Sequence, residues 1–409
     1  MPHAREVAVT GIGMITPGGP TAEETWRAVC EGRSLARTDP ELAGLPVDIS
    51  CRIDGFDAIA SFGRPLARRL DRFTHLSLDA ARQAVTDAKL DPAHWPRERV
   101  GVVLGVGSNS LETYVREFTL LGEGRPRAVS PMALPRSVPS MVPAEVALDL
   151  QVHGPSFSVA SACASGATAI GVARDLLLAG TCDIVLAGGA DSGRARMTAT
   201  CFAQMTALSR RTDDPSAACR PFDVDRDGLV LSEGAAVLVL ERPDDARARG
   251  AHIRALLRGY GSSSDAHHPV APHPDGAGAE RALRAALADA GCVPGDVDHV
   301  NAHGTSTPAG DTAEALALLR TFDGTPPPVT STKSVLGHAL GASAAVEAAL
   351  TVLTLQQQHI PPTANLHRQH PAQELDIVTA HPRPTPIDLA ATSSFGFGGQ
   401  NTVLILTKP

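Results

Sequence analysis

Short apolar runs that alternate with helix-length segments are the feature that most constrains the fold of this chain. The strand-like runs are Val7–Val9, Val100–Leu104, Phe157–Val159, Ile184–Ala187, Ala235–Leu240, His299–Val300 and Val403–Leu406. The helix-like segments between them are Leu76–Ala88, Ala167–Leu178, Ala277–Ala290, Thr312–Leu319 and Ala342–Gln356. Because strands that alternate with helices of this length pair through crossover connections, the pattern predicts an α/β fold with buried, largely parallel strands.

Composition excludes several other classes of protein. The chain has 409 residues, of which 43% are hydrophobic and 20% charged, which excludes a disordered chain. Its net charge of −8 argues against nucleic acid as a partner. No run of about 18 apolar residues exists, so we expect no membrane span. The seven cysteines are odd in number and scattered, which favours reduced thiols and a cytoplasmic location.

Two segments share one local pattern and predict an internal duplication. FSVASACASGATAIG in the first half and VDHVNAHGTSTPAGDTAEAL in the second both read as strand, turn with reactive residues, then helix. We therefore expect two halves, residues 1–250 and 251–409, with the boundary near Arg242–Arg254. Gly261–Gly278 and Phe395–Asn401 are predicted to be loops, and loops of this kind often carry function.

Cys163 is the candidate nucleophile. It follows a strand-like run and opens a helix-like segment, where the helix dipole would lower the thiol pKa and favour the thiolate. Its small neighbours, in SACASG, would let a ligand reach the sulfur. The alternative is an ordinary buried cysteine, since free cysteines commonly pack as small core residues.

His303 and His338 are the candidate acid–base or oxyanion-stabilising groups. His303 lies in NAHGTSTPAGD and His338 in TKSVLGHALGAS, and both have glycine neighbours that permit tight turns. A histidine so placed suits hydrogen bonding to a developing oxyanion. Each could instead be an ordinary core or surface histidine, or the set could bind zinc with Cys163. We expect no metal site, because Lys333 would oppose a cation and no close ligand pair is present.

Two further features each have a functional and a structural interpretation. Lys333 and Glu347 lie among apolar residues, so we expect a buried ion pair and not two solvated charges. The segment Phe395–Asn401 carries two phenylalanines between glycines. It could be a gate, with glycine hinges and an aromatic plug, or simply a tight turn with core aromatics.

Taken together, these motifs resemble the β-ketoacyl-[acyl-carrier-protein] synthases of the thiolase superfamily. The resemblance is to the elongating type II class, close to the ketosynthase subunits of type II fatty-acid and polyketide synthases. It runs almost end to end through VAVTGIGMITPGG, the Cys163 segment, RPFDVDRDGLVLSEGAAVLVLE, NAHGTSTPAGD, KSVLGH and SFGFGGQN. It implies a thiolase-like, duplicated αβαβα layered sandwich.

The resemblance also implies roles for individual residues. Cys163 would accept the acyl group, while His303 and His338 would polarise the malonyl thioester carbonyl as CO2 leaves. The backbone N–H groups of Cys163 and Phe397 would form the oxyanion hole, with Phe397 as the gate residue. Lys333 would orient the histidines. The supporting residues would be Glu347, Thr305, Thr307, Phe395, Gly398 and Asp265, with the threonines on the phosphopantetheine arm and the Asp265–Pro274 loop moving with Phe397.

The Cys-His-His set implies a decarboxylating, elongating acyltransferase, because initiating and chalcone-type relatives carry Asn in place of His338. The enzyme would need no cofactor of its own, since the carrier protein brings the phosphopantetheine. We expect the enzyme to act in polyketide or specialised-metabolite biosynthesis. One alternative is housekeeping fatty-acid elongation. Another is that the chain is a catalytic subunit, active only in a heterodimer with a chain-length-factor-like partner. Acyl chain length and the number of elongation cycles stay open.

Partner surfaces and the acyl pocket follow from the same resemblance. Acyl carrier proteins are acidic, and Arg64, Arg68, Arg69, Arg72 and Arg127 would form the docking surface, although Thr206 replaces a basic residue common in fatty-acid synthases. Ser108 and Ala133 stand at positions that often hold larger side chains, and so they would enlarge the acyl pocket. Dimerisation, with a second copy or a chain-length-factor-like subunit, is expected around Gln151–Val159.

Overall fold

The computed structural model describes residues 6–409, which form fourteen β-strands and thirteen α-helices. The strands are β1 (Val7–Ile15), β2 (Arg37–Thr38), β3 (Ile49–Ser50), β4 (Val100–Gly105), β5 (Ser156–Val159), β6 (Ile184–Ser192), β7 (Glu233–Glu241), β8 (Ala255–Ser264), β9 (His299–Asn301), β10 (Val329–Thr330), β11 (His359–Ile360), β12 (Arg383–Pro384), β13 (Leu389–Gly396) and β14 (Gln400–Thr407). The helices are α1 (Ala22–Glu31), α2 (Ala58–Arg69), α3 (Arg72–Asp87), α4 (Leu111–Gly122), α5 (Ala133–Ser137), α6 (Met141–Leu150), α7 (Ser165–Leu178), α8 (Arg196–Gln204), α9 (Pro243–Ala248), α10 (Ala277–Ala290), α11 (Pro308–Thr321), α12 (Lys333–Leu336) and α13 (Ser343–Gln357). Within this described range no helix is both long and apolar enough to span a membrane.

Ten strands form one sheet whose two halves have the same topology. The order is β10-β9-β13-β14-β8-β1-β7-β6-β4-β5. Each half contributes five strands to this sheet. If the five are numbered by their order along the chain, both halves place them in the order first, fifth, fourth, second, third, counted outward from the β1–β8 pair. The inner pairs are antiparallel and the outer pairs, β4 with β5 and β6 and β9 with β10 and β13, are parallel. This repeated order is what a duplicated chain would give.

The halves stack as helix, sheet, helix, sheet, helix. α7 and α13 occupy the middle, because one continuous buried cluster joins both helices to strands of both halves. α3 and α6 cover the outer face of the first half, and α10 and α11 cover that of the second. A sheet that is covered on both faces needs strands that are apolar along nearly their whole length. β7 is such a strand, because all nine of its residues are buried.

The layers confirm the α/β class and the αβαβα sandwich expected from the resemblance, and each predicted strand-like run falls inside a strand. The expectation of largely parallel strands is wrong, since the strands nearest the centre of the sheet pair antiparallel. The predicted loop 261–278 is also too long, because β8 continues to Ser264. Phe395–Asn401 is the tip of the β13–β14 hairpin and not an extended loop. A division of the chain at residue 250 stays a prediction.

A close backbone contact with β4 fixes the position of the first residue of α7. A Cβ on Gly105 would lie 2.2 Å from the backbone carbon of Ser165, so only glycine permits this approach. Cys163 lies two residues before α7, and the packing of β4 therefore fixes where this cysteine sits.

Gly105→Ala is expected to lower the free energy of unfolding by about 2–3 kcal/mol, because the strand and the helix must separate to admit the methyl group. Urea denaturation measures this change. Gly122→Ala is the control, since a Cβ added there would have no atom within 4 Å, and we expect a change no larger than ~1 kcal/mol. Equal destabilisation by the two substitutions would contradict this account of the contact.

Candidate active site

Cys163 sits on a tight turn between β5 and α7. Ala162, just before it, has a φ of 49°, in the left-handed region. Ser165 holds the turn, because its hydroxyl accepts a hydrogen bond from Ser161 N–H at 2.9 Å and donates one to the Ala162 carbonyl at 2.6 Å. A strained turn of this kind presents the cysteine side chain away from the strand and helix that carry it.

Burial dominates the electrostatics of the thiol. The pKa of Cys163 is raised to about 12 by burial, although the Lys333 charge and the backbone N–H groups of Phe397 and Cys163 act in the opposite direction. The expectation that the pKa of this thiol would be lowered at the helix end is therefore wrong, because burial raises it. A nucleophilic role for Cys163 would therefore require a base to take its proton.

The same two backbone N–H groups, of Phe397 and Cys163, point at the sulfur. Gly396 makes this possible, because a Cβ there would lie 2.5 Å from the Ser161 carbonyl oxygen and 3.1 Å from the Cys163 nitrogen. The tip of the β13–β14 hairpin thus lies directly against the turn that carries Cys163. The oxyanion role of the Cys163 and Phe397 N–H groups stays a prediction.

The His303 peptide is held between two buried ionisable side chains, Glu314 and Lys333. Its N–H donates to Glu314 Oε1 at 2.7 Å, and its carbonyl accepts from Lys333 Nζ at 2.7 Å. The neighbouring Gly304 N–H donates to the other Glu314 oxygen, also at 2.7 Å. The His303 ring itself has no hydrogen-bond partner among residues 6–409, and its Nδ1 is buried. The ring is consequently free to bond a substrate.

His338 is oriented through one ring nitrogen. Its Nδ1 lies 3.0 Å from Ser343 Oγ, which leaves Nε2 for the cleft. The rings of His303 and His338 meet edge to face, with centroids 5.5 Å apart. Burial, followed by the Lys333 charge, lowers the pKa of both imidazoles well below the usual value. Both are therefore neutral at pH 7 and able to donate a hydrogen bond or accept a proton.

Lys333 and Glu347 form the expected buried ion pair, and each side chain is only 2% exposed. Lys333 Nζ donates to Glu347 Oε1 as well as to the His303 carbonyl. Burial raises the pKa of Glu347 to about 7, against the effect of Lys333. Glu347 Oε2 is buried without a partner.

Two buried carboxyl groups of α11 were missed by the sequence interpretation. Glu314 accepts hydrogen bonds from the His303 and Gly304 N–H groups. Asp311 accepts hydrogen bonds from the backbone N–H groups of Phe222 and Ser306, and so fixes the turn after His303. Burial raises the pKa of Glu314 to about 8 and that of Asp311 to about 6. Their three-residue spacing, on one face of a predicted helix next to NAHG, was the available signal.

The thiol and the two imidazoles face one cleft, whose empty space of about 710 Å³ includes its solvent-open mouth. Cys163, His303, His338, Thr305 and Thr307 all line it, together with Asp265, Phe395, Phe397 and Phe202. The Phe397 ring stacks on Phe202 at 5.5 Å between centroids, and Phe395 packs edge-on against His303 at 5.6 Å. Phe202, on α8, had no sequence signal that singled it out.

The hairpin tip is tied to the neighbouring loop through Asp265. Gly398 and Gly399 have φ values of 80° and 71°, which the tight turn requires. Asp265 N–H donates to the Gly399 carbonyl, and its carboxylate accepts from the Asn401 amide at 2.8 Å. The predicted concerted movement of the two loops thus has a physical link, while the movement itself stays a prediction.

Ser108 and Ala133 do not line this cleft. The Ser108 hydroxyl donates to the buried carboxyl of Asp191 at 2.7 Å and lines a separate small cavity. Gly107 lies close to the turn that carries the nucleophile, because a Cβ added to it would be 3.0 Å from the Ala162 carbonyl oxygen. Ala133 is buried at the start of α5. The assignment of Ser108 and Ala133 to the acyl pocket stays a prediction.

The predicted docking arginines separate into two groups. Arg64, Arg68 and Arg127 are exposed and form no ion pair with the residues described. Arg69 pairs with the buried carboxylate of Glu145. Arg72 is 25% exposed and bonds the fully buried Glu233 at 2.9 Å, so one face of its guanidinium is already engaged, and its part in the docking surface stays a prediction.

No group of three or more His, Cys, Asp or Glu residues in the described range could hold a metal ion. A thiol, two neutral imidazoles and two oxyanion N–H groups on a duplicated αβαβα sandwich define the class of thiolase-like carbon–carbon condensing enzymes.

Comparisons with known proteins identify the family within that class. Residues 4–246 match the β-ketoacyl synthase N-terminal domain and residues 254–367 its C-terminal domain. The chain is 39% identical to 3-oxoacyl-[acyl-carrier-protein] synthase 2 of Synechocystis sp. over 414 residues, covering 99% of this chain and 98% of that protein. The chain therefore belongs to the β-ketoacyl synthase family, and its activity is that of a condensing acyltransferase.

Two solved structures are similar over the full length. The ishigamide ketosynthase/chain length factor superposes with a TM-score of 0.92 at 33% identity, covering 99% of this chain and 100% of that one. The complex AntDE:AntF, a type II polyketide-synthase acyl-carrier protein with its ketosynthase bound to the hexaketide, gives a TM-score of 0.92 at 28% identity, covering 100% of both chains.

Replacing Glu314 should change how stability depends on pH. Its folded-state pKa of about 8 exceeds the ordinary value of 4.5, so its contribution is fully present below pH 4.5 and is lost as pH rises through 8. We expect the free energy of unfolding of Glu314→Gln to fall less steeply than that of the wild type between pH 5 and 8, measured by urea denaturation. Glu374→Gln, at an exposed position, is the matched control and should follow the wild type. Parallel curves for Glu314→Gln and the wild type would contradict the assignment.

Proposed function

We propose that Cys163, His303 and His338 catalyse decarboxylative Claisen condensation of a carrier-bound acyl chain with malonyl carrier protein. The products are the β-ketoacyl carrier protein, CO2 and free carrier. The observation that carries this proposal is the convergence of one thiol and two neutral imidazoles on a single cleft. Neutral imidazoles suit the chemistry, because a donor must stabilise the enolate without fully protonating it.

In the first step Cys163 accepts the acyl group. A neutral imidazole removes the thiol proton, the sulfur attacks the thioester carbonyl, and the oxyanion receives hydrogen bonds from the Cys163 and Phe397 N–H groups. The proton then passes to the departing carrier thiol. This step neither takes a proton from solvent nor releases one.

In the second step malonyl carrier protein occupies the cleft. His303 and His338 donate hydrogen bonds to the malonyl thioester oxygen, so that the electrons of the breaking C–CO2 bond form an enolate. The enolate carbon attacks the acyl carbonyl on Cys163. Lys333 acts as a positioning residue, because it bonds the His303 carbonyl and not the reacting atoms.

The phosphopantetheine arm of the carrier would lie along Thr305 and Thr307. Their hydroxyls are 3.0 Å apart, and both line the cleft. The chain itself would need no cofactor, since each proton and electron pair is moved by the substrates and the side chains already named.

Dimerisation through the Gln151–Val159 region has structural support. β5 is an edge strand that pairs only with β4, and Phe157 on it is exposed. Large apolar side chains are exposed nearby in sequence, on α4, α5 and α6, including Phe118, Leu134 and Leu148. Such an apolar surface beside an open edge suits pairing with a second copy or a chain-length-factor-like subunit.

All seven cysteines are free, which supports a reducing cytoplasmic setting.

Polyketide or other specialised-metabolite biosynthesis is the pathway we favour, and likeness to the two polyketide-type structures supports it. Housekeeping fatty-acid elongation is the second candidate, favoured by the 39% identity to the Synechocystis synthase. Relative rates with β-ketoacyl and saturated acyl carriers distinguish the two.

His338→Asn is expected to slow malonyl decarboxylation by about 10²-fold or more, because the shorter amide would place its N–H away from the position of the imidazole Nε2 and so weaken the hydrogen bond to the malonyl thioester oxygen. Acylation of Cys163 should change much less, since His303 can serve as the base in that step. Rapid-quench assays of each half-reaction measure the two rates. The proposed division of roles fails if both rates fall equally.

Arg64→Glu with Arg68→Glu should raise KM for the carrier substrate several-fold, with kcat little changed, because charge reversal repels an acidic carrier. The difference should shrink at high salt. Arg247→Glu, exposed on α9, is the control for a general change in net charge. A KM equal to that of the control variant would place the docking surface elsewhere.

A further inference from the structure

Asp191 is a buried carboxyl group that the proposed mechanism does not use. It lies near the end of β6, is only 1% exposed and lines a small cavity separate from the substrate cleft. Burial raises the pKa of Asp191 to about 6, although four hydrogen bonds act in the opposite direction. The group is therefore mainly ionised at pH 7, and both of its oxygens act as hydrogen-bond acceptors.

One oxygen of this carboxylate joins two backbone segments that are far apart in the chain. Asp191 Oδ2 accepts hydrogen bonds from the Gly107 N–H at 2.9 Å and from the Gly341 N–H at 3.1 Å. The other oxygen, Oδ1, accepts from the Ser108 hydroxyl at 2.7 Å and from the Ser192 N–H at 3.2 Å. The two glycine segments also touch each other, because a Cβ on Gly341 would lie 2.4 Å from the Gly107 nitrogen. The carboxylate thus holds together two segments that leave no room for a side chain between them.

The first of these segments supports the turn that carries the nucleophile. The Val106 N–H donates to the Val159 carbonyl at 3.0 Å, where β5 ends. A Cβ on Gly107 would lie 3.0 Å from the Ala162 carbonyl oxygen. Ala162 is the left-handed residue directly before Cys163. A movement of Gly107 would therefore displace the turn and the sulfur with it.

The second segment supports His338. The His338 ring is oriented by Ser343, and Gly341 lies in the turn between these two residues. Leu340 in the same turn has a φ of 51°, in the left-handed region. A residue in this conformation needs support from its surroundings, and the hydrogen bond from Gly341 to Asp191 supplies such support directly beside it.

We propose that Asp191 is a positioning residue that sets the distance between the acyl group on Cys163 and the enolate held at His338. This rests on the proposed function. The carboxylate acts through Gly107 on the nucleophile side and Gly341 on the histidine side, and not on the reacting atoms. The enolate forms at the histidines while the acyl group is held on the sulfur. Carbon–carbon bond formation is therefore the step in which the two sides must be aligned.

An enolate that is not aligned with the acyl group has another outcome. It takes a proton from water, so that malonyl carrier protein and a proton give acetyl carrier protein and CO2, and the acyl group stays on Cys163. The yield of β-ketoacyl carrier protein per CO2 released therefore measures the alignment of the two sides. This ratio does not depend on how much of the enzyme is folded, so a loss of stability alone leaves it unchanged.

Two substitutions at Asp191 separate its hydrogen bonds from its charge. Asp191→Ala removes all four hydrogen bonds. Asp191→Asn is the conservative variant, because its amide oxygen can accept from both the Gly107 and the Gly341 N–H groups, while its amide nitrogen can donate to the Ser108 hydroxyl. Gly107→Ala is an independent variant that keeps the carboxylate, since its methyl group would lie 2.9 Å from the Gly341 nitrogen and separate the two segments.

Asp183→Ala is the matched control. Asp183 directly precedes β6, so it lies at the opposite end of this strand from Asp191. It pairs with Arg99 at 2.7 Å and with Arg242 at 2.6 Å. Its replacement therefore also removes a carboxylate and its partners' bonds, but away from both glycine segments.

Isolated acyl-enzyme is mixed with malonyl carrier protein in a single turnover, and CO2 and β-ketoacyl carrier protein are both quantified. We expect Asp191→Ala to lower the yield per CO2 by about fivefold or more, because a displacement of about 1 Å can slow a reaction by ~10²-fold. Asp191→Asn should restore most of the yield, and Asp183→Ala should keep the wild-type value. Gly107→Ala should lower the yield in the same sense, and it decides the matter if Asp191→Ala does not fold.

A wild-type yield in Asp191→Ala and Gly107→Ala would overturn the proposal. An equal fall in Asp191→Ala and Asp191→Asn would also overturn it, since the charge and not the two backbone hydrogen bonds would then matter. An equal fall in Asp183→Ala would do the same, because the effect would not be local. Failure of the proposed function is distinguishable: the acylated wild type would release no CO2 and form no β-ketoacyl product.

Discussion

The buried Lys333 ammonium is the interaction on which the rest of the site depends. An isolated buried charge is costly, and the Glu347 carboxylate and the His303 carbonyl offset that cost. The same charge then acts on every reacting group: it helps to keep His303 and His338 neutral and opposes the rise in the pKa of Cys163 that burial causes.

The duplicated fold explains how these groups meet. Cys163 follows β5 in the first half of the sheet, and His303 follows β9 in the second. α7 and α13 share the middle layer of the fold. The ends of β5 and β9, which lead into the turns that carry Cys163 and His303, therefore meet at the same cleft. Close backbone contacts at Gly105 and Gly396 set the final distances, because any side chain at either position would push the turn away.

Much of this arrangement could be predicted from the sequence. The strand–helix alternation, the Cys163 turn and the two histidine motifs are local patterns, and local patterns can be read from residue order. Antiparallel pairing of the central strands could not be predicted, because strand direction depends on which strands become neighbours. The expected direction of the Cys163 pKa shift was wrong for a similar reason: burial of the thiol, which depends on tertiary packing, raises its pKa more than the Lys333 charge and the backbone N–H groups lower it. Glu314 was missed because its partner is a backbone N–H.

The most direct test of the central claim is intact mass spectrometry of the purified chain incubated with an acyl-carrier protein substrate and malonyl carrier protein. The account predicts an acyl adduct on the wild type, a β-ketoacyl carrier product, and no adduct on Cys163→Ala. Acylation without extension would indicate that a partner subunit is missing. An adduct on Cys163→Ala at the wild-type rate would contradict the account, because another residue would then be the nucleophile.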